Sequence, residues 1–317
     1  MQIPCLIIAY SRLDGIKRLF ESLPVEKIDS IYIAIDGPRT QNETEIQKEI
    51  WDYVLDYTRS NNLEVNLWQR DVNLGIAVSM ISAIDWFFEN VECGIILEDD
   101  LVVSKDFFDF VDYNLIAIEE MPEIAMISGN QFLTDANFDS IYVTHYPQIW
   151  GWATWSKKWH LLKRGLLEEV VFSPFNLKNS VVNFWNIGSM RVHDGLIDTW
   201  DIPLARFMKL NSKICILPNC NLVTNLGFDS FSTNTRKLTF PLGVELQKMF
   251  KYDLKLNPKS IQKAIIVDEF LENNVFNIRP KHRWLPLYSF LLDRIRFNSK
   301  KIASLNDRLE LVKIPVL

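Results

Sequence analysis

The run Gly94-Ile95-Ile96-Leu97-Glu98-Asp99-Asp100-Leu101-Val102-Val103 constrains this chain more than any other stretch. A buried-type apolar strand ends in three adjacent carboxylates, and apolar residues resume at once. Three like charges side by side cost free energy unless a cation sits among them. At the C-terminal end of a strand in an α/β protein, such a cluster points to a divalent metal carrying a phosphorylated ligand. Hard carboxylate oxygens suit Mg²⁺ or Mn²⁺. A solvated acidic turn is the competing reading, and the apolar flanks weigh against it.

The residues around this run alternate strands and helices. Ile3–Ala9 reads as a strand and Arg12–Ser22 as a helix. Ile31–Ile35 is a second strand ending at Asp36-Gly37, followed by a polar helix over about Glu43–Asn61. Glu64–Trp68 is a short third strand. Leu74-Gly75 opens a helix to about Asn90, Asp106–Glu120 is another helix, and Ile124–Ser128 is the next strand. This rhythm predicts an α/β fold with a mostly parallel sheet flanked by helices. Ligands then gather at strand C-terminal ends. The polar tips there are Tyr10-Ser11-Arg12, Asp36-Gly37, Asn73-Leu74-Gly75 and Glu98-Asp99-Asp100. The chain has no glycine-rich dinucleotide fingerprint and no Gly-Lys-Ser/Thr phosphate loop, which weakens oxidoreductase and NTPase readings.

Beyond about residue 130 the pattern changes. Trp150-Gly151-Trp152-Ala153-Thr154-Trp155 and Trp159 form an aromatic cluster that suits either a packed core or a floor on which a sugar stacks. Asp194–Asn211 reads as one helix carrying Asp198, Trp200, Asp201 and Arg206. Asn225–Lys237, rich in Asn, Ser, Thr and Gly, reads as a long loop suited to a lid. In residues 279–301 seven Lys and Arg side chains, against the single acid Asp293, interleave with Trp284, Leu285, Tyr288, Phe290 and Phe297. Such a segment either lies on an anionic membrane surface or packs its apolar side on the body. The expected organisation is a nucleotide-binding half over residues 1–130, an acceptor-side region over 131–240, and a helical basic tail over 241–317.

Composition narrows the partners. At 317 residues the chain has ample core, and 48% of it is hydrophobic. A net charge of −6 argues against a nucleic-acid binder. Cys5, Cys93, Cys215 and Cys220 lack zinc spacing, and three lie in apolar runs, as buried free thiols in a reducing compartment would. No signal peptide and no membrane-spanning run is visible, so the expected location is cytoplasmic, with peripheral membrane contact through residues 279–301.

Glu98-Asp99-Asp100, with the following Asp106-Phe107-Phe108 helix, resembles the acidic motif of N-acetylglucosaminyltransferase I and its relatives, inverting metal-dependent glycosyltransferases of the GT-A fold. Arg12 is similar to that family's diphosphate-contacting arginine. Asp36 is similar to its uracil-reading acid. Gly151-Trp152 resembles its Gly-Trp element, and Trp200-Asp201 its Trp-Asp pair with the catalytic base. The order and rough spacing of these motifs extend over about residues 3–230. Asn73 stands where that family places a histidine near the nucleoside, and the missing anchor and stem suggest a bacterial member.

The resemblance implies Asp100 as the metal ligand, Asp99 facing the ribose, Glu98 facing the donor sugar and Asp201 as general base. Tyr10, Arg12, Asp36 and Asn73 would complete the donor site, with Trp152 and Trp200 as sugar platform. Asp198, Asp194 and Asp229 are rivals for the base. The implied reaction moves a sugar from a nucleotide-diphosphate donor, a UDP-sugar and by inheritance UDP-N-acetylglucosamine, to a saccharide hydroxyl in surface-polysaccharide synthesis, with no nucleic acid as partner. The basic tail suggests a lipid-linked acceptor. A sugar nucleotidyltransferase would need a Gly-, Arg- and Lys-bearing loop after the first strand, but Ala9–Gly15 holds one Gly and one Arg. A non-catalytic carbohydrate-binding protein would leave the three carboxylates unexplained.

Overall fold

The computed structural model describes residues 1–133, 141–170, 180–227, 264–278 and 304–315. The basic segment 279–301, Asp229, and residues 228–237 of the expected lid lie outside these ranges. The chain runs β1 (Ile3–Ala9), α1 (Leu13–Ser22), β2 (Ile28–Ile35), α2 (Gln41–Ser60), β3 (Glu64–Gln69), α3 (Ile76–Asn90), β4 (Cys93–Glu98) and β5 (Leu101–Val103). It continues through α4 (Lys105–Ala117), β6 (Ile124–Ser128), β7 (Tyr142–Thr144), β8 (Trp152–Trp155), α5 (Ser156–Leu166), α6 (Ser180–His193), α7 (Asp201–Leu210), β9 (Ile214–Leu217) and β10 (Val223–Asn225). Two short helices follow, α8 (Ala264–Phe270) and α9 (Leu305–Glu310).

Eight strands form one sheet in the order β3-β2-β1-β4-β8-β6-β9-β7, and β5 pairs with β10 in a separate ribbon. The half β3-β2-β1-β4 is parallel throughout. The α/β class expected from the rhythm is the one observed. Side chains alternate between the faces with period two. Cys5, Ile7, Ala9, Ile31, Ile33 and Ile35 join the core under α1, α2 and α4. Leu6, Ile8, Tyr32 and Ala34 join the core under α3, α5 and α7.

β8 lies antiparallel between β4 and β6 and separates Ile124–Ser128 from the acidic strand. The inserted strand is the Trp-Ala-Thr-Trp segment itself, with all four residues buried. Residues 194–211 are not one helix. Gly195, at φ +70°, ends α6 with the Gly195 and Leu196 N–H groups bonding back to Val192 and Arg191. The chain restarts at Asp201, with Pro203 in the first turn, where its missing N–H is no loss.

Chain order explains where a ligand belongs. From β1 the chain builds outward through β2 to β3, then returns to place β4 on the other side of β1. The crevice between the ends of β1 and β4 is the topological switch point. The glycine that starts the apolar run of β4 has a packing reason. A Cβ at Gly94 would stand 2.3 Å from the Phe87 ring and 2.7 Å from the Pro4 carbonyl oxygen. Gly94→Ala is therefore expected to lower the free energy of unfolding by about 1–3 kcal/mol, the usual range for overpacking, in urea denaturation.

Candidate active site

The switch point brings the two most polar strand tips together. Asp99 N–H donates to the Ile8 carbonyl at 3.1 Å, continuing the β1–β4 ladder, and Tyr10 N–H donates to Asp99 Oδ2 at 2.9 Å. Arg12 Nη1 forms an ion pair with Asp100 Oδ2 at 2.6 Å. The β5–β10 ribbon folds over this tip, with Leu226 N–H donating to the Asp100 carbonyl at 2.8 Å. Gly227 lies so close that a Cβ there would meet Asp100 Oδ2 at 2.2 Å and Arg12 Nη1 at 2.8 Å. Helix α1 also approaches closely, because a Cβ at Gly15 would fall 2.1 Å from the Asp99 carbonyl oxygen.

This packing raises the acidity problem that the sequence poses. Burial pushes Glu98 well above the usual carboxylate range, and the charges of Asp100, Asp99 and Asp201 add to the rise. Asp99 is pushed up to about 7 by burial and then by Asp100, against the Tyr10 N–H and Arg12. Burial also raises Asp201, opposed by hydrogen bonds from Thr199 and from the backbone at the start of α7. The Asp201 charge is therefore near enough to Glu98 to add to its rise.

The expected nucleoside-side residues form a framed wall. Gln47, fully buried in α2, donates to the Tyr10 carbonyl at 3.1 Å and the Asp36 carbonyl at 2.8 Å, tying the ends of β1 and β2. Asp36 Oδ1 accepts from Gly37 N–H and Leu74 N–H, each at 3.0 Å, and Oδ2 accepts from Gly75 N–H at 3.2 Å. Asn73 Nδ2 donates to the Gly37 carbonyl at 2.9 Å, while its Oδ1 accepts from Arg39 Nε at 3.0 Å. The Arg39 guanidinium lies 5.5 Å from the centre of the Tyr10 ring. Asp36 therefore clasps two loops together in addition to any contact with a ligand.

The acceptor-side residues separate into different tasks. Asp198 does not share a helix face with Asp201. It precedes α7, and its Oδ2 and Oδ1 accept from Ile76 N–H at 2.8 Å and Ala77 N–H at 3.3 Å. It thereby caps α3 from a distant part of the chain. Asp201 takes a hydrogen bond from Thr199 Oγ1 and stands at the N-terminus of α7, where the helix dipole favours a carboxylate. Asp194 N–H belongs to the end of α6, bonded to the Met190 carbonyl at 2.8 Å.

Trp152 and Trp200 are corrected from platform to core. They are 1% and 2% exposed, and their rings stack on each other with centroids 5.9 Å apart at 27°. Trp159 closes the cluster edge-on to Trp200 at 6.3 Å and donates Nε1–H to Asp85 Oδ1 at 2.8 Å. Both faces that a sugar would need are covered by protein, so the stack anchors the residue before Asp201 instead.

Among the described residues, no three His, Cys, Asp or Glu side chains converge on a point that a metal ion could occupy. The acidic tip fits a different donor set, in which one carboxylate and the oxygens of a bound phosphate share a hard cation. The burial of these carboxylates beside one another, which raises Glu98 and Asp99 first by desolvation and then by their neighbours' charge, is the observation that supports this fit. Sequence reasoning missed Arg39, Gln47, Thr199 and Gly227. Thr199 lies two residues from Asp201 and was open to notice, whereas the other three depend on pairings between distant segments.

No protein-family model matches the chain, and no curated protein matches it. Among solved structures, the apo-form glycosyltransferase GlyE of Streptococcus pneumoniae TIGR4 is similar at 13% identity and TM-score 0.34, over 53% of this chain and 38% of GlyE. HddC from Yersinia pseudotuberculosis is similar at 12% identity and TM-score 0.30, over 49% of this chain and 78% of HddC. Its complex with GMP-PN gives 12% and 0.29. Likenesses of this size carry no assignment of activity.

Two measurements test this description. Asp99 is raised in the folded state above its unfolded value near 3.8, so the folded protein holds that proton more tightly. Its contribution to stability is present at low pH and is lost as pH rises from about 4 through about 7. Denaturation in chelator should show this loss in the wild type and a flatter profile in Asp99→Asn. Trp152→Ala should cost about 3–5 kcal/mol of unfolding free energy, as large core truncations do. A ligand platform would instead lose binding with little change in stability.

Proposed function

We propose that the chain is a glycosyltransferase that uses a nucleotide-diphosphate sugar, with a UDP-sugar as the favoured donor and a saccharide hydroxyl as acceptor. One observation carries this reading: the carboxylates of Glu98, Asp99 and Asp100 gather at the switch point of the sheet, with Arg12 paired to Asp100 and the Asp201 charge near enough to raise Glu98. Arg12 supplies a planar cation suited to a diphosphate. In the free protein that cation is held by Asp100 at 2.6 Å. A diphosphate and a divalent cation arriving together give each partner of this pair a new counter-charge. A Mg²⁺ or Mn²⁺ ion on Asp100 would neutralise charge developing on the leaving diphosphate.

The remaining steps belong to the chain itself. Asp99, fixed by Tyr10 N–H, orients toward the nucleotide side, and Asp36, Asn73 and Arg39 frame the base. Asp36 accepts four bonds from the backbone N–H groups of Gly37, Leu74 and Gly75, the Leu74 N–H being shared by both oxygens. Its carboxylate is the acceptor that the resemblance assigns to the N3–H of a uracil or thymine ring. Asp201 takes the proton of the acceptor hydroxyl. Its burial raises its affinity for that proton, and Thr199 holds the carboxylate in orientation. A single base opposite the leaving group predicts inversion at the anomeric carbon. No helix among the described residues is long and apolar enough to cross a membrane. An acceptor carried on a lipid, met through residues 279–301, is the extension of this reading to the membrane surface.

The test is calorimetric titration of UDP and UDP-N-acetylglucosamine with Mn²⁺ and with chelator, followed by transfer assays. Asp100→Ala should abolish the metal-dependent part of UDP binding. Asp201→Asn should keep UDP binding and lower kcat by about 10²–10⁴-fold, the range for a lost general base. A folded wild type that binds no uridine nucleotide with Mn²⁺ would overturn the uracil assignment and send the search to dTDP- and GDP-sugars.

A further inference from the structure

The part of the chain beyond residue 240 enters the described structure twice, and both times it holds an end of α7, the helix that starts with Asp201. At the far end, Lys209 Nζ donates to Asp268 Oδ2 at 2.8 Å and Glu272 Oε1 at 2.9 Å. Asp268 is almost fully buried and also accepts from Thr144 Oγ1 at 2.5 Å and His145 N–H at 2.9 Å. Tyr146 O–H donates to Glu272 Oε1 at 2.7 Å. Residues 264–275 are thereby fastened to β7 and to the last turn of α7.

At the near end, Arg308 of α9 donates through Nη2 to Asp198 Oδ1 at 2.9 Å. Leu305 is buried, and Leu309, Val312 and Ile314 pack against the same core as α3. Asp198 is the carboxylate that caps α3, and it presses on Gly75, where a Cβ would fall 2.4 Å from Asp198 Oδ2. Gly75 adopts φ +80°, a conformation that favours glycine. The N–H groups of Leu74 and Gly75 point the other way, to Asp36. A continuous set of polar contacts therefore runs from Arg308 through Asp198 and the 74–77 backbone to Asp36, spanning the crevice from acceptor side to nucleoside side.

We infer that Arg308 is a positioning residue that, through Asp198, fixes the turn presenting Asp201 and the start of α3 across the crevice. What the turn presents Asp201 for rests on the proposed transferase reading. The ion pair itself is partly exposed, with Arg308 at 27% and Asp198 at 39%, so solvent screens it and its removal should disturb global stability little. Its geometric consequence is larger, because small misplacement of a catalytic group costs up to about a hundredfold in rate.

The test uses the full chain. Arg308→Gln should lower kcat by about 10–100-fold while the Kd for UDP with Mn²⁺ stays within about twofold, and the melting temperature stays close to that of wild type. Arg308→Lys, which keeps the cation, should restore most of kcat. Asp198→Asn, which also weakens the cap on α3, should lower kcat at least as much as Arg308→Gln, and the double variant should be no worse than Asp198→Asn alone, as expected of one coupled unit. A kcat within about twofold of wild type in Arg308→Gln, or losses that add in the double variant, would overturn the inference. If the wild type transfers no sugar from UDP-N-acetylglucosamine or other nucleotide sugars, the transferase reading fails by itself. Hydrogen exchange at the Ile76 and Ala77 amides then decides the positioning role. Exchange at least about tenfold faster in Arg308→Gln upholds it, and unchanged exchange overturns it.

Discussion

Repulsion among carboxylates at the end of β4 governs the rest of this structure. Two carboxylates about 4 Å apart repel by about 4 kcal/mol at an effective dielectric of about 20. A backbone hydrogen bond returns only about 0.5–1.5 kcal/mol. The Tyr10 N–H on Asp99 therefore cannot by itself keep that group ionised, and one guanidinium, already engaged with Asp100, cannot serve three acids. The cluster must keep a proton or acquire a cation. A phosphorylated ligand brought in with a divalent metal, as proposed above, would resolve this imbalance, and the switch point between β1 and β4 is where an α/β sheet leaves room for one.

The acid on the opposite wall depends on packing rather than on charge. Asp201 follows Trp200, which is stacked on Trp152 and braced by Trp159. A buried three-tryptophan cluster fixes the backbone where α7 begins, so packing helps to hold the Asp201 carboxylate in place. Thr199 completes this arrangement from within the same turn. The tryptophans thus contribute to the site by immobilising its most reactive candidate group, and a stacking surface for sugar, if the acceptor uses one, must come from other rings.

The N-terminal half, expected to hold the donor, was readable in the sequence because its signals are local. Apolar runs of strand length ended at Ala9, Ile35 and Leu97, and each end was followed by a polar tip that the fold brings to the same rim. Helices α1, α2 and α3 began within two residues of the positions expected. The acceptor half resisted for a physical reason. Trp-Ala-Thr-Trp is a strand buried on both faces between β4 and β6, and no period-two pattern survives in such a strand to distinguish it from an aromatic platform. Likewise, the apparent helix over 194–211 concealed a break at Gly195, because the residues on either side keep helical periodicity. The contact between Arg308 and Asp198 joins positions 110 apart and leaves no mark in either local sequence.

Hydrogen-bond accounting separates the acids that hold from the acids that act. Asp36 and Asp198 both accept from backbone N–H groups of the 74–77 segment, one from each side, so each carboxylate ties that segment to another part of the chain. Burial outweighs the hydrogen bonds to Asp201 and raises its proton affinity. Burial, then the charges of Asp100, Asp99 and Asp201, raises that of Glu98. Asp198 is committed to capping α3, a task set by contact between distant segments rather than by its nearness in sequence to Asp201. Asp198 has a further importance, because the segment it shares with Asp36 links the two carboxylates, and a displacement of Asp198 would reach both Asp201, close behind it in the chain, and the loops that Asp36 clasps.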